Sequence, residues 1–133
     1  MINSSWMKID NILLDQLTAQ AKVSPRLRMN FDLRNSEADM SQRMLNAIEP
    51  GSEVPVHRHQ KTSETVVMIR GRAIQHFYDE QGALTESVLL EAGGPVPAIQ
   101  VPMGVWHRLE SLESGTVIVE FKDGPYEPVR EVK

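Results

Sequence analysis

The sequence contains no cysteine. A disulfide framework, a thiolate metal site and a cysteine nucleophile are therefore excluded. Aromatic residues are scarce, at 5% of 133 positions, and seven methionines against three phenylalanines point to an adaptable core. No apolar run approaches membrane-spanning length, and the first residues lack the basic, apolar, small-residue order of a signal peptide. The expected address is the cytoplasm. A formal net charge of −4 lacks the positive excess that nucleic acid or an anionic membrane surface would select, so neither is expected as a partner.

What is present is an ordinary globular balance: 41% hydrophobic and 24% charged residues, on a chain long enough to bury one core. Residues 1–8 carry no pattern. Ile9, Ile12, Leu13, Leu17 and Ala21 then recur at three and four, which predicts an amphipathic helix from Asp10 to about Val23. Asp10 or Asn11 would cap it, and Ser24-Pro25 stops it, because a residue before proline avoids the helical region. Residues 1–23 are thus expected as a helical lead-in and residues 24–133 as the main domain. Arg26 to Met40 is polar and mixed; it reads as a solvated basic loop, or as an anion-recognising lip in which Arg26, Arg28 and Arg34 present guanidinium groups.

From Gln42 the period changes to two. Gln42, Met44, Asn46 and Ile48 share one face, and Arg43, Leu45 and Ala47 the other. Further short strands are predicted at Val54–His59, Thr65–Ile69, Ala73–Tyr78, Leu84–Leu90, Ile99–Val101, Val105–Leu112 and Thr116–Phe121, divided by proline- and glycine-bearing turns. Such a series implies a closed or sandwiched antiparallel sheet. Thr65–Ile69 is apolar on both faces and needs cover on both. The helix supplies part of that cover and a second subunit the rest, so a homodimer is expected.

The chemistry-bearing stretch is Gly51 to Gly71. His57 and His59 are two apart, so a strand points both to one face. Glu64 opens the next strand and can turn back toward them. Imidazole with carboxylate suits Zn, Fe, Mn, Ni or Cu without choosing among them. His107, in Pro102-Met103-Gly104-Val105-Trp106-His107, offers a third imidazole from a distant strand.

The spacing of Gly51, His57, His59, Glu64 and Gly71 resembles the first motif of the cupin superfamily in full, and Pro102, Gly104 and His107 resemble the core of the second. Two departures are visible: the glycine expected before Pro102 is displaced to Gly93-Gly94, and Ser111 stands where asparagine is usual. The chain is also similar to the WbuC-type cupin metalloproteins. That likeness rests on Ser24-Pro25-Arg26, Gln42-Arg43-Met44, Asn46-Ala47, Glu49-Pro50-Gly51, His57-Arg58-His59, Arg70-Gly71, Trp106-His107 and Gly124-Pro125-Tyr126. One departure there is Asp32, where the asparagine–x–histidine usual near Asn30 would have its histidine. The resemblance implies an all-β double-stranded β-helix, the cupin jelly-roll barrel, preceded by an α-helix. It further implies His57, His59, Glu64 and His107 on one divalent transition metal (Zn, Fe, Mn or Ni), and a link to sugar or surface-polysaccharide metabolism.

Other residues carry two readings each. His76 is a candidate catalytic base inside the barrel. Gln42, Asn46 and Arg28 are candidate pocket residues, although the two amides would equally satisfy buried backbone. Glu120 reads as an exposed strand residue or as an acceptor behind the ligands. Trp106 and Tyr126 would stack on a sugar ring or fill a core or interface. The expected function is that of a metal-binding cupin acting on a small molecule, with a sugar-like ligand as one candidate. The alternatives are a metal-dependent isomerase, epimerase or dioxygenase, a non-catalytic ligand-binding cupin, and a structural assembly partner.

Overall fold

A computed structural model describes residues 6–127 and the backbone of residues 130 and 131; the first five residues of the lead-in lie outside the described residues. One helix, α1 (Asn11–Val23), precedes ten strands. These are β1 (Arg28–Asp32), β2 (Ser41–Ile48), β3 (His57–Arg58), β4 (Glu64–Arg70), β5 (Arg72–Tyr78), β6 (Leu84–Glu91), β7 (Ala98–Val101), β8 (Trp106–Ser111), β9 (Val117–Asp123) and β10 (Arg130–Glu131). They form two five-stranded antiparallel sheets, ordered β1-β2-β9-β4-β7 and β10-β3-β8-β5-β6. No helix among the described residues is long and apolar enough to cross a membrane.

The helix starts where its cap predicts: the Asp10 side chain accepts from the Leu13 amide at 3.0 Å. Its buried stripe is Leu14, Leu17, Thr18 and Ala21, not the stripe through Ile12, which is 68% exposed. Both stripes have helical spacing, and contact with the sheet selects between them. Leu14, Leu17 and Ala21 pack on Leu45 and Ala47 of β2 and on Val117 and Val119 of β9. The alternation of β2 thereby sends one face to the helix and the other into the space between the sheets. Ile48 joins Val66, Met68, Ala73, Leu90, Leu109 and Ile118 there, in a second apolar cluster.

Two strands were not expected. Met29 and Phe31 of β1 alternate and pack against the helix cluster, so the stretch read as a polar loop is half an edge strand. β10 pairs with β3 in the tail. Conversely, the strand expected at Val54–His59 shrinks to His57–Arg58, as Pro55 cannot donate to a ladder. Gly71 turns β4 into β5 at φ +87°, with the spot a Cβ would occupy only 2.7 Å from Thr116 Cα. Glycine alone fits that approach.

Candidate metal centre

β3 pairs with β8 through a single residue pair, His57 opposite His107. The Gly104 amide donates to the His59 carbonyl at 2.8 Å, tying the turn before β8 to the end of β3. Gly104 has φ +81°, the left-handed conformation that the tie requires. Strand alternation on β8 sends His107, Leu109 and Ser111 inward. The three imidazoles therefore meet between the sheets, with ring centroids 4.4 to 5.4 Å apart. One nitrogen of each lies within 4.8 Å of the others.

Their tautomers are prepared by the backbone. His57 Nδ1 and His107 Nδ1 each lie 2.8 Å from a carbonyl, of Pro55 and Val105 respectively. A ring that donates from Nδ1 presents an unprotonated Nε2. Burial, with the nearby His107 ring, lowers the His57 pKa to about 4, so that ring is neutral at pH 7.

Glu64 begins β4 and faces the same space. Its Oε1 lies 3.3 Å from His107 Nε2 and its Oε2 3.5 Å from His59 Nε2. Burial alone would raise this carboxyl, but the His107 and His59 rings and the Lys122 ammonium hold it well below the usual carboxylate range. His59 Nε2 and His107 Nε2 are buried and have no hydrogen-bond partner among the described residues. Buried polar atoms seldom go unpartnered. Two buried, unpartnered ring nitrogens, a third imidazole and an ionised carboxylate turned to one point are the donor set a divalent transition ion takes. The residues fit the ion that the sequence suggests.

Around the centre lies a charged wall that sequence reasoning largely missed. Lys122 Nζ sits 3.2 Å from Glu64 Oε2 and 3.8 Å from Glu120 Oε2. Glu120 points inward beside the Asn46 side chain; burial and the Glu64 charge push its pKa up to about 7. Two carboxylates about the ammonium raise the Lys122 pKa against the opposing effect of burial. The signal was available: extending the alternation of the last strand by one residue places Ile118, Glu120 and Lys122 on one face. Gln75 is a further inward amide, two residues along β5 from the Phe77–His107 pair, and its Nε2 is buried without a partner among the described residues.

A cleft of about 700 Å³ opens beside His59 and Lys122, walled by Gln42, Thr62, Gly124 and Tyr126 among others. Gln42 lines this wall, and its amide donates to the Gly124 carbonyl at 2.9 Å. Asn46 reaches the centre's surroundings through Glu120. Arg28 does not: it pairs with Ile48, at the apolar end of β2, and its guanidinium donates to Ser52. Asp32 and Arg34 close an exposed pair of their own at 2.8 Å. His76 is also not brought to the imidazoles. It lies on the outer face of β5, between Ser87 at 2.7 Å and Glu110 at 2.9 Å. Trp106 is outside too, stacked under Arg58 at 4.4 Å, whereas Tyr126 lines the cleft.

Comparison with known proteins agrees with this architecture. Residues 9–90 match the family described as "Domain of unknown function (DUF6016)", a span that includes His57, His59 and Glu64 and stops before His107. No curated protein matches the chain. Among solved structures it is similar to CapF, a capsular polysaccharide assembling protein from Staphylococcus aureus. There the TM-score is 0.69 at 16% identity, over 84% of this chain and 33% of CapF. It is similar to an oxalate oxidase in complex with the substrate analogue glycolate (TM-score 0.68, 16% identity, 98% of this chain and 63% of that one). A cupin 2 domain-containing protein from Halorhodospira halophila gives a TM-score of 0.63 at 16% identity, over 80% and 70% of the two chains. The chain thus spans about a third of CapF and less than two thirds of the oxalate oxidase. The likeness shows the fold, which is the cupin jelly roll.

Proposed function

The chain belongs to the DUF6016 family, whose description assigns no activity, and from the site itself we propose that it is a metal-binding cupin that handles a small polar molecule. His57, His59, His107 and Glu64 are the proposed ligands of one divalent transition ion. The observation that carries this reading is the pair of buried, unpartnered Nε2 atoms aimed at a carboxylate that is held ionised. An ion there supplies Lewis acidity toward a carbonyl of a bound molecule, and a redox-active one supplies oxygen chemistry as well. The chain's own residues do the rest. The Pro55 and Val105 carbonyls orient two ligands, Lys122 fixes Glu64, and Glu120 holds or releases a proton near neutral pH. The cleft past His59 and Lys122 admits the small molecule.

An isomerase, epimerase or dioxygenase activity is consistent with this set. The likeness to CapF and the WbuC-type sequence features support a sugar or polysaccharide setting. A non-catalytic binding role draws on a different observation: Glu64 and Glu120 are both neighbours of Lys122, so the acids facing the centre are already committed. Ile69 and Phe121 remain more than a third exposed on the outer face of the helix-covered sheet, which supports a second copy as partner.

The test is elemental analysis of protein purified without added metal. About one transition ion per chain is expected. His107→Ala should lower metal affinity by more than the roughly 10–100-fold that loss of an outer hydrogen-bond partner costs, with an unchanged far-UV spectrum. Full retention of metal would contradict the ligand assignment. Iron would direct the search to oxygen chemistry, and zinc to isomerisation or a structural role.

A further inference from the structure

Lys122 is only 15% exposed in its side chain, yet it lines the cleft as well as the charged wall. An ammonium has three donors. Of the two carboxylates near it only Glu64, at 3.2 Å, accepts a hydrogen bond, since Glu120 lies 3.8 Å away, so donor capacity is left over among the described residues. Its hold on Glu64 is also contestable, because Glu64 is a proposed ligand of the ion. A cation that draws on Glu64 weakens the competing claim of that carboxylate on Lys122 and adds positive charge to the same small volume. Of the other charges on the cleft, Lys61 and Glu127 pair with each other at 3.2 Å, and Asp123 is exposed, where solvent screens it. Once the ion is bound, the buried end of the cleft therefore carries an excess of positive charge, with an ammonium at its wall.

Resting on the metal-centre reading above, we propose that Lys122 recognises the carboxylate of a small organic monoanion in this cleft. Glu64, shared between Lys122 and the ion, couples the two, so each ligand raises the affinity for the other. A single ammonium matches a monoanion; a phosphate dianion would call for a second buried donor of charge. Coupling between binding sites is reciprocal, so it is readable from the metal side without any assay of turnover.

The experiment titrates Zn²⁺ calorimetrically into chelator-stripped protein, with and without saturating acetate. Acetate is expected to tighten zinc binding by about 5-fold or more, the lower end of ordinary coupling. Lys122→Met should still bind zinc but lose that gain, to within about 2-fold. Acetamide, of the same size without charge, should leave wild-type zinc affinity unchanged, and this arm needs no variant to fold. If acetate helps Lys122→Met as much as wild type, the anion is held by the ion alone and the role of Lys122 is refuted. An equal effect of acetamide refutes charge recognition. Zinc binding that is indifferent to acetate overturns the coupling while leaving the metal centre standing, whereas failure to bind zinc at all overturns both.

Discussion

The space between the sheets has two ends built from the same strands. On β4, Glu64 faces one end and Val66 and Met68 the other; on β9, Lys122 and Glu120 give way to Ile118. On β8, His107 is followed inward by Leu109, and on β2, Gln42 by Ile48 at the far end. Polarity therefore changes along each strand with no break in the ladder. One end stabilises the fold by removing apolar surface from water. The other keeps buried polar groups whose mutual geometry is held by strands that the apolar end has already fixed. Rigid support of this kind is what a ligand set needs, since its orphaned nitrogens and crowded carboxylates cost stability and are maintained by packing elsewhere.

The most forceful way to break this comparison is to damage the apolar end alone. Ile118 is 1% exposed within the inter-sheet cluster. Ile118→Ala should lower unfolding free energy by about 2–5 kcal/mol, from lost transfer energy and the cavity left behind. Denaturant unfolding of metal-free protein measures this. At temperatures where the variant stays folded, its zinc affinity should remain close to wild type. Should zinc binding collapse as is expected of His107→Ala, the two ends are one cooperative unit and the division fails.

The same division explains what could be read from the sequence. The strands of the apolar end were legible, and so was the face that Ile48 shares with Gln42, Met44 and Asn46; which face of Thr65–Ile69 turns inward was not, because both are apolar, and the helix starts at its cap and stops before its proline. The three imidazoles and Glu64 were legible as well, because glycine, histidine and glutamate at fixed offsets leave a local mark. The charged wall was legible only in part: alternation puts Ile118, Glu120 and Lys122 on one face, but nothing local says whether that face meets solvent or the centre. Only the register of β9 against β2 and β4 turns them toward Glu64. Arg28 failed as a pocket residue for the converse reason: its proximity to other arginines in sequence says nothing about which end of β2 it pairs with.

A smaller effect sharpens the comparison from the polar end. The Glu120 carboxyl is raised from 4.5 to about 7. A carboxyl that binds its proton more tightly when folded contributes stability that is complete below pH 4.5 and is lost as pH rises through 7. The shift corresponds to at most about 3 kcal/mol, and to less in practice, since 20% of the side chain meets solvent. His57, lowered to about 4, acts in the opposite direction: its contribution is present above 6.5 and fades as pH falls toward 4. The two oppose each other in the wild-type profile, so the informative quantity is the difference between wild type and Glu120→Gln in chelator-stripped protein. Glu120→Gln should become progressively the more stable of the two as pH rises from 4.5 to 7. A constant difference across that range would show that Glu120 ionises as an ordinary surface acid.

The smallest effect contrasts two histidines on neighbouring strands. His76 and His107 lie on β5 and β8, which pair directly, but alternation sends the first outward and the second inward. His76 bridges Ser87 and Glu110 across three strands of the outer face, and Glu110 is 45% exposed in its side chain. Cross-strand polar pairs of this sort contribute roughly 0.2–1 kcal/mol. His76→Gln should therefore cost less than about 1 kcal/mol in denaturant unfolding and leave zinc affinity and the acetate effect unchanged. The histidine nearest in sequence pattern to a catalytic base would then be a strand-to-strand tie, and the one buried against Glu64 the ligand. Loss of zinc in His76→Gln would mean that the outer face transmits to the centre through β8, and that the inside–outside partition of these strands does not isolate the site.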